Sequence, residues 1–291
     1  MLSILQDWVP PSRENWRLTV NFYQYVFPVF GSFQWFLKWY GMGKTSVASS
    51  PLNIPGRAAW LTMEIVGPAV FLTSVLSASS RSTTPLPWQN KFLAGLYLLH
   101  YAYRAVAFPF VQPSMSPIHL LVWSSAVVHQ FCNGTSLGGW LGGLHGPASS
   151  SISSSPAQFL LGVTLFLAGL AGNFYHDEAL REIRRREARR QHALRNQPGV
   201  DRRSSRAVDK HYRIPEAGLF RYVLYPHYLC EWVEWLGFWV ACGWPCVPAR
   251  AFLLNEVFAM LPRAVNGRRW YADKFGEEKI RGKWAVIPGL I

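Results

Sequence analysis

Polar side chains inside long apolar runs are the residues of this sequence best suited to chemistry. Glu64 lies in one such run, and Tyr97, Tyr101 and Arg104 follow in the next at i, i+4 and i+7, which places them on one face of a helix. A buried carboxyl group is expected to be neutral or paired, because burial penalises its charged form. A tyrosine hydroxyl polarised by a neutral Glu64 is a good donor to a carbonyl oxygen. We therefore predict that Glu64 and Tyr101 bind a substrate carbonyl, with a helix-to-helix hydrogen bond of Glu64 as the alternative.

A second group of polar residues lies where a later apolar run ends. Asn173, Asp177, Arg181 and Arg184 are spaced i, i+4, i+8 and i+11, so a helix would carry them as one stripe. Carboxylate and amide groups form hydrogen bonds with sugar hydroxyls, and arginine guanidinium groups bind phosphate through charge-assisted hydrogen bonds. The stripe is therefore predicted to hold a ribose and phosphates. The alternative is a helix end with ion pairs between neighbouring turns.

A third group, His227, Glu231 and Glu234, has the spacing i, i+4 and i+7 in another apolar run. Two acids on one face of an apolar helix are hard to explain by packing alone. We expect them to hydrogen-bond a polar ligand head or to share a proton with each other.

The runs that carry these groups predict an all-α membrane protein. Of the 291 residues, 50% are hydrophobic and only 15% are charged, whereas soluble domains have roughly 25% charged residues. Runs of about 20 apolar residues are long enough to cross a bilayer. The predicted spans are 18–37, 58–80, 92–111, 118–141, 157–176, 219–242 and 246–262. This composition excludes a disordered chain and a disulfide-stapled module, and it argues against a conventional globular enzyme.

The net charge of +13 is concentrated in the arginine-rich segment 185–210. Short cytoplasmic loops of membrane proteins collect Lys and Arg. The segment is therefore predicted to be a cytosolic loop in contact with anionic lipid headgroups, and no nucleic-acid partner is expected. Two spans then lead to another basic segment, 263–283, which predicts a cytosolic C-terminus and, across seven spans, a lumenal N-terminus. The cysteines form no C-x-x-C pair, and no metal site is expected.

Several motifs together resemble the steroid 5-alpha-reductase family. They are NFYHD at 173–177, YRIPEAGLF at 212–220, PHY at 226–228 with Glu231 and Glu234 after it, and the stretch 263–271. These motifs fall within 159–291, which is the part of the chain where the resemblance is strongest. Looser matches in the first half are Met63-Glu64, His100-Tyr101 with Arg104, and Asn133-Gly134.

The resemblance implies a single integral-membrane domain, 1–291, in the endoplasmic reticulum, in which a seven-helix bundle encloses a pocket for NADPH and an apolar substrate. The implied reaction is the NADPH-dependent reduction of a carbon-carbon double bond conjugated to a carbonyl. Glu64 and Tyr101 would bind the substrate, and Trp60, one helical turn before Glu64, would form a wall for a flat apolar molecule. The residues implied to line the cofactor pocket are Asn173, Asp177, Arg184, Tyr212, Arg213, His227, Glu231, Arg263 and Tyr271.

Three features depart from the family pattern and bear on the substrate. Met63 stands where the steroid enzymes have Gln, Gly267 replaces a His, and 187–208 is an insertion. The preferred substrate is a 3-oxo-4-ene steroid, which would place the chain in steroid and lipid metabolism. A long-chain enoyl thioester or a polyprenyl carbonyl is the alternative within the same family.

Two readings outside the family remain open at this point. A membrane methyltransferase that uses S-adenosylmethionine would need neither the pair Glu64 and Tyr101 nor the phosphate-gripping Arg184 and Arg213. A helical scaffold that docks partners or lipid through its basic loop would not explain Asn173, Asp177, Glu231 and Glu234 in or beside apolar runs. No obligate protein partner is predicted.

Overall fold

The computed structural model describes residues 7–37, 39–43, 46, 49–82, 85–146, 155–195 and 213–291. Within them the chain is mostly helical, which confirms the all-α prediction. The α-helices are α1 Arg13–Tyr25, α2 Phe27–Ser32, α3 Gly56–Glu64, α4 Val66–Ser80, α5 Trp88–Tyr101, α6 Phe108–Val111, α7 Leu120–Leu141, α8 Pro156–Arg195, α9 Pro226–Cys242 and α10 Val247–Phe275. Two short strands, β1 (Asn53–Ile54) and β2 (Ile118–His119), pair in antiparallel register.

Two helical stretches of the described residues are apolar and long enough to cross a membrane. One is Gly56–Ser80, in which α3 and α4 meet at Ile65, and the other is Pro156–Ala193 within α8. They contain the second and fifth of the predicted spans, 58–80 and 157–176, and the second stretch extends beyond its span. The arrangement of all seven spans stays a prediction.

The first half of the chain departs from the predicted spans at two places. The run 18–37 is not one helix: α1 ends at Tyr25, and α2 starts anew at Phe27 with a proline in its first turn. Proline lacks the backbone N–H that a continuous helix would need there. The run 118–141 begins in β2, because residues 118–119 pair with β1, so α7 starts only at Leu120.

The second half differs mainly in where its helices begin and end. α9 starts at Pro226 rather than at 219, because Gly218–Arg221 form a 3-10 turn and proline is favoured in the first position of a helix. α8 continues to Arg195, so the first part of the predicted basic loop 185–210 is helical. The rest of that loop lies outside the described residues.

The chain divides into two compact units. The first unit comprises Met1–Leu170 and Trp232–Arg263, and the second comprises Ala171–Glu231 and Ala264–Ile291. The first group of polar residues singled out in the sequence lies in the first unit and the second group in the second unit. The third group is divided: Glu234 belongs to the first unit, and His227 and Glu231 belong to the second.

Close contact between α4 and α7 organises the first unit. A Cβ atom added at Gly134 of α7 would lie 2.4 Å from the carbonyl oxygen of Gly67, and one at Gly138 would lie 2.6 Å from that of Phe71. Only glycine permits two helix backbones to approach so closely, as at many helix interfaces in membranes. This approach brings the polar side chains of α7 against the junction of α3 and α4.

Backbone hydrogen bonds between two distant segments organise the second unit. Leu224 N–H donates to Trp284 O at 2.9 Å, Tyr225 N–H donates to Ala285 O at 2.9 Å, and Trp284 N–H donates to Tyr222 O at 2.8 Å. The Lys283 ammonium donates to the carbonyl oxygens of the 3-10 turn at Phe220 and, at 3.4 Å, at Arg221. The segment that leads into α9 is thus held in place by residues 283–285.

Candidate active site

A buried chain of hydrogen bonds connects the two predicted catalytic residues in the first unit. The Tyr101 hydroxyl donates to Gln130 Oε1 at 2.8 Å, and Gln130 Nε2 donates to Glu64 Oε2 at 2.5 Å. All three side chains are buried, with Tyr101 at the end of α5, Glu64 at the end of α3 and Gln130 on α7. The structure therefore brings Glu64 and Tyr101 into one network, in which Gln130 links them.

Asn133, one turn after Gln130 on α7, completes this network. Its amide nitrogen donates to the hydroxyl oxygens of Tyr101 at 3.0 Å and Tyr97 at 3.2 Å. Its Oδ1 is buried and has no hydrogen-bond partner among the described residues. The Tyr101 oxygen thus accepts from one amide while its hydrogen points to another.

The sequence analysis did not select Gln130 as a site residue. Gln130 has no ionisable group, and an uncharged amide in an apolar run gives a weaker signal than a charged side chain. The structure shows that room for it is made by Gly67, where an added Cβ would lie 2.3 Å from Gln130 Oε1. A buried amide with both its donor and its acceptor engaged is a specific feature, because buried polar groups without partners are costly.

Arg104 lies in a π-helical segment and not in a continuous α-helix, which its spacing from Tyr97 and Tyr101 had assumed. Residues Ala102–Ala107 form a π-helical segment, in which the wider turn rotates the following side chains. The Arg104 guanidinium carbon lies 4.9 Å from the centre of the Trp60 ring, and Trp60 Nε1 donates to Arg104 O at 3.0 Å. The predicted substrate wall, Trp60, is therefore a buried ring covered by arginine.

Glu234 also belongs to the first unit. Its Oε1 lies 2.7 Å from His100 Nδ1, and both side chains are buried. The His100 ring is 5.0 Å from the Tyr101 ring, centre to centre. Glu234 is therefore engaged by a histidine next to the catalytic candidates.

In the second unit, Asn173 on α8 connects to the start of α9. Its amide nitrogen donates to Glu231 Oε2 at 3.1 Å and to the backbone oxygen of His227 at 3.0 Å. Asn173 and Glu231 are both buried, and so is Asp177, one turn further along α8. Four residues predicted to bind the cofactor thus occur together on two adjacent helical segments.

His176 is a second residue that the sequence analysis did not select for the site. Its Nδ1 donates to Gly172 O at 2.6 Å, and its Nε2 accepts the Leu219 N–H at 3.1 Å. These two bonds fix the tautomer and fasten the 3-10 turn to α8. The left-handed φ of Gly218, 56°, lets the chain pass beside the histidine ring.

The arginines of the predicted stripe have different environments. Arg181 is almost completely buried and forms an ion pair with Glu178 at 2.7 Å, as the ion-pair alternative anticipated for this helix end. Arg184, on the same helix, and Arg213, just before the 3-10 turn, are exposed. The exposed pair is accessible to a phosphate, whereas Arg181 is bound within the protein.

Three cofactor candidates remain: Tyr271, Arg263 and Tyr212. Tyr271 is buried in an apolar cluster of the second unit with Leu224 and Ile280. Arg263 belongs to the first unit, where its Nε donates to Ala259 O at 2.8 Å. Tyr212 lies outside the described residues.

Each unit also carries a surface cavity. A cavity of about 390 Å³ in the first unit is lined by Trp88, Gln89, Phe92, Pro156, Phe159, Leu160 and Val163. A cavity of about 420 Å³ in the second unit is lined by Val265, Arg268, Arg269, Trp284, Ala285 and Ile291. Among the residues that the structure describes, no predicted catalytic or cofactor residue lines either cavity.

Comparison with known proteins places this site in a family. Residues 116–291 match the family of the 3-oxo-5-alpha-steroid 4-dehydrogenases. The chain is 36% identical over 265 residues to an uncharacterised protein of Schizosaccharomyces pombe, with 86% of this chain and 89% of that protein covered. It is 30% identical over 248 residues to the human 3-oxo-5-alpha-steroid 4-dehydrogenase 1, with 85% of each chain covered. It is also 30% identical over 271 residues to the steroid 5-alpha-reductase DET2 of Solanum lycopersicum, with 91% of this chain and 92% of the relative covered. The chain therefore belongs to the 3-oxo-5-alpha-steroid 4-dehydrogenase family, a family of oxidoreductases that act on a carbon-carbon double bond.

Proposed function

We propose that this protein reduces a carbon-carbon double bond conjugated to a carbonyl in a steroid, with NADPH as the reductant. The observation that carries the proposal is the buried network of Glu64, Gln130, Tyr101 and Asn133 in a chain of this family. Relatives with 30% identity are named for a 3-oxo-steroid dehydrogenase and a steroid 5-alpha-reductase. A 3-oxo-4-ene steroid is therefore the preferred substrate.

Tyr101 would act at the carbonyl oxygen. Hydride addition to the β carbon of an enone places negative charge on that oxygen, and a preorganised donor in a dry site stabilises such charge most effectively. Asn133 already donates to the Tyr101 oxygen at 3.0 Å, which makes the O–H a stronger donor. The α carbon then takes a proton from solvent, so that one hydride and one proton are added across the double bond.

The donor set of the second unit fits a phosphorylated dinucleotide. Asn173, Asp177 and Glu231 supply a buried amide and two carboxyl groups, which suit ribose hydroxyls, while the exposed Arg184 and Arg213 suit phosphate. Bound NADPH would supply the hydride, and the protein would supply its position. The other proposed contacts are Tyr212, His227, Arg263 and Tyr271.

We propose further that the protein is embedded in the endoplasmic reticulum membrane with its N-terminus in the lumen and its C-terminus in the cytosol. The two long apolar helices, Gly56–Ser80 and Pro156–Ala193, support membrane insertion. The arginines that follow residue 180 on α8 favour the cytosolic side for the end of that helix.

The test uses the full chain, purified in detergent, with NADPH and a panel of three substrates: a 3-oxo-4-ene steroid, a long-chain enoyl thioester and a polyprenyl enal. NADPH oxidation is followed by absorbance, and the products are identified by mass spectrometry. We expect reduction of the steroid at the highest kcat/KM. Preference for another substrate would reassign the substrate class, and tight binding of S-adenosylmethionine without NADPH binding would refute the reductase assignment.

Variants of the two catalytic candidates test the mechanism. Tyr101→Phe is expected to lower kcat by about 100- to 1,000-fold, the effect of removing one donor to a developing oxyanion. Glu64→Gln keeps the size of the side chain and is expected to lower kcat as well. Both must still bind NADPH. Parental rates in folded, NADPH-binding variants would show that these residues do not act at the carbonyl.

A further inference from the structure

The side chain of Gln130 occupies a position between the two catalytic candidates that gives it a role in the proposed reaction. Its Oε1 accepts from the Tyr101 hydroxyl at 2.8 Å, and its Nε2 donates to Glu64 Oε2 at 2.5 Å. A carboxamide carries a donor and an acceptor at fixed separation, so one group can engage a hydroxyl and a carboxyl at the same time. The two bonds therefore set the spacing of Glu64 and Tyr101.

The fold maintains this arrangement from α7. Gln130 and Asn133 are spaced i and i+3, which places both amides on the side of α7 that meets Tyr101. Gly67 on α4 leaves the space that the carboxamide occupies, since a Cβ there would lie 2.3 Å from Gln130 Oε1. Met63, next to Glu64 in sequence, is buried in an apolar cluster with Ala59.

We propose that Gln130 is a positioning residue that sets the direction of the Tyr101 hydroxyl and holds it at a fixed distance from Glu64. The proposal rests on the function proposed above. In the free protein the Tyr101 hydrogen points to Gln130 Oε1. A substrate carbonyl beside Gln130 would share that hydrogen in a bifurcated hydrogen bond, so Gln130 still directs the hydroxyl, while Gln130 keeps its bond to Glu64 and Asn133 keeps its bond to the tyrosine oxygen.

A double-mutant cycle between Gln130 and Tyr101 separates this role from a structural one. Gln130→Met keeps the volume of the side chain and removes both hydrogen bonds. We expect kcat to fall by roughly 5- to 150-fold, the range that corresponds to leaving a buried polar partner unsatisfied. The KM for the steroid and the Kd for NADPH should change by no more than about twofold, because Gln130 acts through Tyr101 on the reacting oxygen.

In the Tyr101→Phe background, the same substitution should lower kcat by no more than about twofold, because the hydroxyl that Gln130 holds is already absent. A purely structural effect would be the same in both backgrounds. Gln158→Met serves as the matched control: Gln158 is partly buried and donates to Val240 O at 3.0 Å, and it has no bond to the network. We expect its kcat to equal the parental value.

The outcomes distinguish the inference from the function on which it rests. If Tyr101→Phe lowers kcat and Gln130→Met does not, the role of Gln130 is refuted and the proposed function stands. Equal losses in both backgrounds would also overturn the inference. If Tyr101→Phe is fully active, the proposed mechanism itself fails. Should Gln130→Met not fold, Gln130→Leu also removes both hydrogen bonds with a smaller side chain, and an unchanged kcat for that variant would refute the proposal.

Discussion

Gly267 on α10 is a position where a single methyl group should have a large effect. A Cβ added there would lie 1.7 Å from the Tyr225 hydroxyl oxygen and 2.5 Å from Cζ of the same ring. The Tyr225 ring cannot move away freely, since it stacks on Tyr228 at 5.3 Å and its backbone N–H is bonded to Ala285 O at 2.9 Å. Gly267→Ala therefore forces either the ring or the α10 backbone to shift.

The magnitude follows from the cost of overpacking. An extra methyl group in a filled site costs about 1–3 kcal/mol of the free energy of unfolding. For domains of 150–250 residues each kcal/mol corresponds to roughly 2–4 °C, so we expect the melting temperature to fall by about 2–12 °C. Thermal unfolding of the purified protein in detergent, followed by intrinsic fluorescence, measures the shift.

Two companion variants make the result decisive. Gly95→Ala on α5 adds the same methyl group where no other atom lies within 4 Å, and it should not lower the melting temperature, because alanine favours helix over glycine. Removing the ring with Tyr225→Ala should make the Gly267→Ala change nearly neutral. If Gly267→Ala unfolds at the same temperature as Gly95→Ala, the Tyr225 hydroxyl does not occupy this space.

Two further predictions concern the second unit. Asn173→Leu removes the amide that donates to Glu231 Oε2, and it should raise the Kd for NADPH by roughly 5- to 150-fold, as measured by fluorescence titration; an unchanged Kd would separate Asn173 from the cofactor. Burial lowers the pKa of the Lys283 ammonium below its usual value, so the unfolded chain binds more protons than the folded one between the folded pKa and about 10.4. The free energy of unfolding of the parent should therefore rise with pH across that window, and that of Lys283→Met should rise less. If the melting temperatures of the two proteins depend on pH with the same slope, this prediction is wrong.

The structure shows the surroundings of two positions at which the sequence departs from the expected family pattern. Met63 stands where the steroid enzymes have Gln, and the structure buries it among apolar side chains while Gln130 provides a carboxamide beside Glu64. Gly267 stands where a His occurs, and the hydroxyl of Tyr225 fills the space above it.

Spacing within one helix could be predicted because it depends only on local geometry. The stripe of Asn173, Asp177 and Arg184 lies on α8 as the period of 3.6 residues requires. The helix type at Arg104 could not be predicted, because the apolar pattern does not reveal the π-helical segment that follows Tyr101. Predicted helix ends failed where a glycine, a proline or a strand pair interrupted an otherwise uniform apolar run.

The sequence by itself determined the helical class of this protein and the polar residues that its apolar runs must accommodate. Both follow from the side-chain chemistry of neighbouring residues and from the period of a helix. Only the tertiary structure decided which residues bond to each other. Gln130 links Glu64 to Tyr101. The partner of Glu234 is His100, although Glu231 had been considered. Those pairings depend on the register between helices far apart in the chain, which is fixed by close contacts such as the glycines of α7 against α4.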